Sequence, residues 1–140
     1  AIEIAKQNAS HHGVTDRLCV IPGDFLDEAF LKKFLSEHHD FDFIVSNPPY
    51  VTSKEITALM PDVREHEPHS ALDGGEDGLH FYRAIATSAK TLLKAQGFVA
   101  VEIGETQGKA VPEIFAEQGF KNGTVIKDYA GHERVVLWTK

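Results

Sequence analysis

Asn47-Pro48-Pro49-Tyr50 is the stretch whose residue types and order could do chemistry. Two hydrogen-bond acceptors, the Asn47 side-chain carbonyl and the Pro48 backbone carbonyl, can be aimed together at one planar NH2 group. Such a pair orients a weak nitrogen nucleophile and accepts the positive charge that develops on it during displacement. Proline suits this work, because its fixed φ holds the carbonyl and it brings no N–H to compete. Tyr50 adds a flat face on which an amide or a base can stack. This is the equipment for moving a methyl group from a sulfonium donor to an amide or amine nitrogen, and it needs no general base, since the proton can leave after transfer. The plainer alternative is a turn, because Asn before Pro favours turn initiation.

What precedes the tetrapeptide weighs against a plain turn. Phe41 to Ser46 is an apolar run suited to a strand, which the two prolines stop abruptly. A buried strand ending in a rigid polar tip is where open α/β sheets carry their sites.

The rest of the chain supplies matching elements. Ile2, Ala5 and Ala9 give a first helix its apolar stripe, and Gly13 ends it. Arg17 to Ile21 reads as a short strand. Asp27 to Ser36 carries Phe30, Leu31, Phe34 and Leu35 at helical spacing. Val51 to Gly78 is the least regular stretch. Within it Ser53 is placed to cap a short helix reaching Met60, and Pro61 and Pro68 interrupt the chain. A loop this long in a small domain is usually functional. Leu79, Tyr82, Ile85, Ala86, Ala89, Leu92 and Leu93 form a helical core stripe that Gly97 stops. Phe98 to Ile103 is the next strand. Gln107 to Gln118 is a helix with Val111, Ile114 and Phe115 inward, closed by Gly119. Phe120 to Asp128 and Arg134 to Thr139 are strands joined by a hairpin at Tyr129 to His132. Alternation of this kind predicts an α/β fold with a mostly parallel sheet, helices on both faces and an antiparallel hairpin at the end.

Composition narrows the function classes. The 140 residues fit a single domain spanning 1–140. A formal net charge of −7, from 14 basic and 21 acidic residues, argues against phosphate-backbone binding as the main source of affinity. A single cysteine, Cys19, makes no internal disulfide and points to a reducing compartment, and no apolar stretch reaches transmembrane length. A cytoplasmic location is therefore expected. Other clusters carry less. Glu37-His38-His39-Asp40 reads as a solvated connector, because adjacent histidines splay apart and no second pair completes tetrahedral ligation, so no metal is expected. His66 and His69 read as loop surface. Asp73 to Gly78 is no phosphate loop, lacking a following Lys-Ser/Thr. It reads equally as a lid over the substrate or as a turn capping the next helix through Asp77. Glu102 at a strand end either caps a turn or faces the site.

These motifs together resemble one family. Asn47-Pro48-Pro49-Tyr50 is similar to the signature of class I methyltransferases that modify planar nitrogens with S-adenosylmethionine. Pro61 to Pro68, Ala71 to Leu79 with Tyr82-Arg83, Glu102 to Gly108, and Asp128 to Arg134 resemble the release-factor glutamine methyltransferases of the HemK/PrmC type, nearly end to end. The resemblance implies N5-methylation of the glutamine in the Gly-Gly-Gln motif of class-1 peptide chain release factors. It implies that Asn47 and Pro48 hold the substrate amide, with Pro49 and Tyr50 lining its pocket. It implies that Asp24 accepts from the adenine amino group of S-adenosylmethionine, with Phe25 beside it and Asn47 near the methionine part. The chain opens in mid-helix at Ala1, so the family's Gly-rich cofactor loop, ribose-binding acid and first two strands are expected upstream. The fold expected is accordingly an incomplete doubly wound, Rossmann-like sheet, with unpaired strand edges through which chains could self-associate. Two other functions compete: a nucleic-acid adenine-N6 methyltransferase, and an inactive piece that acts at most as a binding module.

Overall fold

Strand β1, Phe41–Ser46, delivers the Asn-Pro-Pro-Tyr tip and forms where the apolar run predicts it. The structure is a computed structural model that describes residues 1–60 and 66–140. The chain break expected at Pro61 and the first five residues, 61–65, of the Pro61 to Pro68 motif lie outside the described residues.

The elements run in chain order from helix α1, Ile2–His11, and α2, Glu28–Glu37, through β1 to a short helix α3, Ser53–Ile56. A 3-10 turn, His69–Ala71, leads to helix α4, His80–Leu92, which passes directly into β2, Leu93–Glu102. Helix α5, Ala110–Glu117, then precedes β3, Thr124–Lys127, and β4, Glu133–Thr139. Sheet order is β1-β2-β4-β3. The β1–β2 ladder is parallel, and β4 runs against both β2 and β3. The sheet therefore has three strands in one direction and a single reversed strand from the terminal hairpin.

Alternation along β2 and β4 sets the core. Val99, Val101, Val136 and Trp138 are buried on one face, with Ile103 just past the end of β2. Against them pack Tyr82, Ile85, Ala86 and Ala89 of α4, and Val111 and Phe115 of α5. The Phe115 and Trp138 rings stack at 4.0 Å between centroids and 7° between planes. On the other face Phe43 and Val45 stand 57% and 69% exposed, with Phe43 stacked on Phe98 at 5.2 Å. Of the three inward residues on α5's stripe, Val111 and Phe115 are fully buried while Ile114 is partly so.

Four local readings are corrected. Residues 17–21 form no strand: they join no ladder of the described residues, and Leu18, Cys19 and Ile21 are exposed. An apolar pentapeptide becomes a strand only beside a partner, and β1, at the edge of the sheet, pairs with β2. Gly97 does not stop α4. It sits inside β2 at a register irregularity between Phe41 and Phe43, where an added Cβ would lie 3.1 Å from the Asp42 and Phe41 carbonyls. The cap of α3 is Thr52, not Ser53. Thr52 accepts from the Glu55 N–H, while the Glu55 carboxylate takes the Thr52 N–H and hydroxyl, and the helix ends at Ile56. Phe120 belongs to the core beside Phe115 rather than to β3, which starts at Thr124.

Phe115 touches both the α4 side of the core and Trp138, so Phe115→Ala leaves a cavity that rigid strands cannot close. It should lower unfolding free energy by about 3–5 kcal/mol in urea titrations. A loss below about 1 kcal/mol would contradict this placement of the core.

Candidate functional site

The tip leaves β1 at Ser46 and is clamped at its far end. Val51 forms a parallel bridge to Asp73: its N–H donates to the Leu72 carbonyl at 3.0 Å, and its carbonyl accepts from Gly74 N–H at 2.8 Å. The Asp73 to Gly78 turn is thereby laid directly against the tip. Gly74 has no room for a Cβ, which would come within 2.8 Å of the Tyr50 Cα and 2.9 Å of the Pro49 carbonyl. Gly78 adopts φ +71°, and a Cβ there would lie 2.4 Å from the Tyr50 carbonyl oxygen. Pro48 is buried, Pro49 and Tyr50 are half-buried, and Asn47 is exposed.

Three clefts surround this tip. The first, of about 730 Å³, is lined by Asp24, Phe25, Asn47, Pro49, His80 and Phe81, among others. A second, of about 350 Å³, shares Phe25, Asn47, Pro49 and Phe81 with it and adds Pro48. The candidate residues Asp24, Phe25, Asn47, Pro48 and Pro49 are thus gathered on adjoining walls, although Asp24 and Asn47 are 23 residues apart in sequence. Tyr50 is not with them. It faces a third cleft of about 560 Å³ with Thr52, Glu55, Asp77, Thr106 and Gln107. Among the described residues its hydroxyl makes only a long contact, 3.5 Å, with Glu102 Oε1. Glu105 lies outside the clefts and pairs with His132 at 2.7 Å, and His39 pairs with Asp40 in the exposed connector.

Two groups of residues had no role assigned from sequence. Phe81 and His80 line the first cleft; Phe81 is an apolar residue that falls off the 79-82-85-86-89 stripe, which was the available signal. Gln107 is the other. Its Nε2 donates to the Tyr50 carbonyl at 3.3 Å and the Gly78 carbonyl at 3.1 Å. Its Oε1 accepts from the Gly104 N–H at 2.9 Å. The Tyr82 hydroxyl shares its one proton between the Glu102 carbonyl at 2.9 Å and Gln107 Oε1 at 3.2 Å. Burial, then the neighbouring Tyr50 and Glu102, push the Tyr82 hydroxyl well above its ordinary value, so it stays a neutral donor.

No family model matches the chain. Individual proteins do. The chain is 42% identical over 137 residues to the release factor glutamine methyltransferase of Clostridium acetobutylicum, which covers 98% of this chain and 46% of that protein. A solved protein-(glutamine-N5) methyltransferase (release factor-specific) from Alicyclobacillus acidocaldarius superposes with a TM-score of 0.50 at 28% identity, over 80% of this chain and 56% of that one. A putative O-methyltransferase from Nostoc punctiforme has a TM-score of 0.56 at 14% identity over 99% of this chain and 41% of that one, and so shares the fold. The chain spans less than half the length of the Clostridium relative. Over nearly all its own length it is homologous to part of the release factor glutamine methyltransferases, and its mixed sheet is the corresponding part of a class I methyltransferase fold.

The turn that clamps the tip is itself held by charge. Asp77 takes a forked pair of bonds from Arg83 at 2.6 and 3.2 Å and accepts from the Leu79 N–H at 3.0 Å at the start of α4. The Arg83 bond, and secondarily the Leu79 N–H, hold its carboxyl below the ordinary 3.8. Asp73 is likewise lowered, by the Gly75 N–H and then the Ser53 hydroxyl. A carboxyl lowered in the folded state binds protons more readily when unfolded. Its stabilisation is therefore present above the unfolded value near 3.8 and disappears as pH falls through the folded value. Asp77→Asn should flatten the acid limb of stability below about pH 4 and cost under about 1 kcal/mol at neutral pH, since the pair is half exposed. An acid limb identical to wild type would show that this contact does not hold the turn.

Proposed function

We propose that this chain provides the acceptor-holding half of an S-adenosylmethionine-dependent N-methyltransferase, and that its acceptor is the side-chain amide of the glutamine in the Gly-Gly-Gln loop of class-1 peptide chain release factors. The observation that carries the reading is that Asn47 lines two adjoining clefts, one with Pro48 beside it and the other with Asp24, while Phe25 lines both. The names of the homologues support the choice of glutamine.

The cofactor can be tested against the lining of the first cleft. Asp24 and Asp73 are on its wall, with the Phe25 and Phe81 rings, and among the described residues no Lys or Arg lines it. That set suits a cationic sulfonium and an aromatic base better than a phosphate group. Asp24 uses Oδ1 to accept from the Leu26 N–H at 2.9 Å, which fixes the carboxylate and presents its other oxygen as an adenine acceptor. When bound, S-adenosylmethionine supplies an electrophilic methyl group. The chain's own work is to hold the acceptor. Asn47 Oδ1 and the Pro48 carbonyl take the two amide protons, turn the nitrogen toward the first cleft, and stabilise positive charge as it develops on that nitrogen. Pro49, without an N–H, leaves no competing donor beside them. The released proton passes to water.

A nucleic-acid adenine acceptor would use the same two carbonyl oxygens, but the net charge of −7 gives no general attraction to a phosphate backbone. Methyl label from the intact protein should enter a class-1 release factor and not DNA, and Asn47→Ala should lower that transfer by about 10²- to 10³-fold, far more than it weakens cofactor binding in calorimetry. Label in DNA alone, or near-normal turnover by Asn47→Ala, would overturn the assignment.

A further inference from the structure

Among the described residues, the Gln107 side chain ties together three backbone segments meeting behind the tip. Its partners are Tyr50 at the end of the tip, Gly78 in the clamping turn and Gly104 after β2. Their chemistry fixes which way the amide points. The Tyr50 and Gly78 carbonyls both require a donor, and the Gly104 N–H requires an acceptor, so Nε2 and Oε1 cannot be exchanged without losing all three bonds. The surroundings are built to this side chain. A Cβ on Gly78 would fall 2.9 Å from Gln107 Nε2, and one on Gly104 would fall 3.0 Å from Oε1 and 3.2 Å from the Tyr50 ring. Both glycines are buried.

The tip needs such a partner. Pro48 and Pro49 offer no N–H, so the path of the chain between Asn47 and Val51 is set by what its carbonyls accept and by the bridge at Val51. We infer that Gln107 is a positioning residue for methyl transfer: its donated bonds to Tyr50 and Gly78 fix the end of the tip, and through it the direction of the Pro48 carbonyl. Its accepted bond from Gly104 anchors the amide to the end of β2. The catalytic consequence rests on the function proposed above; the lock itself does not.

Two variants separate the halves of the amide. Gln107→Glu keeps an acceptor for the Gly104 N–H and the Tyr82 hydroxyl but faces a carboxylate oxygen toward the Tyr50 and Gly78 carbonyls. Gln107→Leu removes both halves. Amide hydrogen exchange in the intact protein reads the lock without any acceptor. The Gly104 N–H should exchange about 5- to 10-fold faster in Gln107→Leu and at the wild-type rate in Gln107→Glu. Methyl-transfer kinetics read the consequence. Gln107→Glu should lower kcat by about 10- to 100-fold, with the KM for S-adenosylmethionine unchanged. Unaltered Gly104 exchange in Gln107→Leu would overturn the lock. Wild-type kcat in Gln107→Glu, or a loss of kcat matched by an equal loss of cofactor affinity, would overturn the positioning role. A wild-type protein that methylates DNA instead of a release factor would refute the proposed acceptor, and the Gln107 comparison would then be read on DNA.

Discussion

Two consecutive prolines at the end of a strand set the main constraint on this molecule. They give the tip rigid dihedral angles and bare carbonyl oxygens, which is what an NH2-bearing acceptor requires. They also deprive it of the N–H groups by which a loop normally secures itself to its neighbours. Anchoring must therefore come from outside, and the long segment after the tip provides it. The chain leaves Val51, makes the capped helix α3, and returns at Leu72 to Gly74 to bridge Val51. Arg83 holds the following turn through Asp77, and Gln107 closes the assembly from the far side. The irregular stretch from Val51 to Gly78 is in this sense the support of the site.

The core explains why this support is stiff. Tyr82 lies in the first turn of α4, fully buried, and its hydroxyl reaches the end of β2 at Glu102. The same helix carries Arg83 outward to Asp77 and Phe81 toward the first cleft. Three successive residues of α4 thus serve the clamp, the core and the cleft wall. Packing of Val99, Val101 and Phe115 beneath them transmits the order of the sheet to the site.

Much of this was legible in the sequence, for identifiable reasons. β1 and α4 follow from strict local patterns, an apolar run stopped by prolines and a stripe of seven residues at helical spacing. The tip is singled out by the chemistry of Asn and Pro and by the strand before it, and that strand is where the apolar run places it. Asp24 and Phe25 entered by family resemblance, and the fold does bring them to the cleft that Asn47 lines. What failed depended on partners. Residues 17–21 have strand composition but no neighbouring strand, and composition carries no information about neighbours. Ser53 and Thr52 are both competent caps; Glu55 lies three residues after Thr52, and that spacing selects Thr52. Gln107 was invisible because its bonds span 29 and 57 residues of chain, and a Gln at the start of a helix has an ordinary reading as surface. Tyr50, expected to line the acceptor pocket with Asn47, lies on the lining of the neighbouring cleft, a placement that leaves its role in acceptor binding a matter for experiment.

That division of the tip makes the central claim open to direct observation. A crystal structure of the intact protein with a Gly-Gly-Gln peptide should place the glutamine amide nitrogen within hydrogen-bonding distance of both Asn47 Oδ1 and the Pro48 carbonyl, facing the cleft of Asp24 and Phe25. An amide lodged instead among Tyr50, Thr52 and Thr106, with Asn47 and Pro48 untouched, would contradict the account.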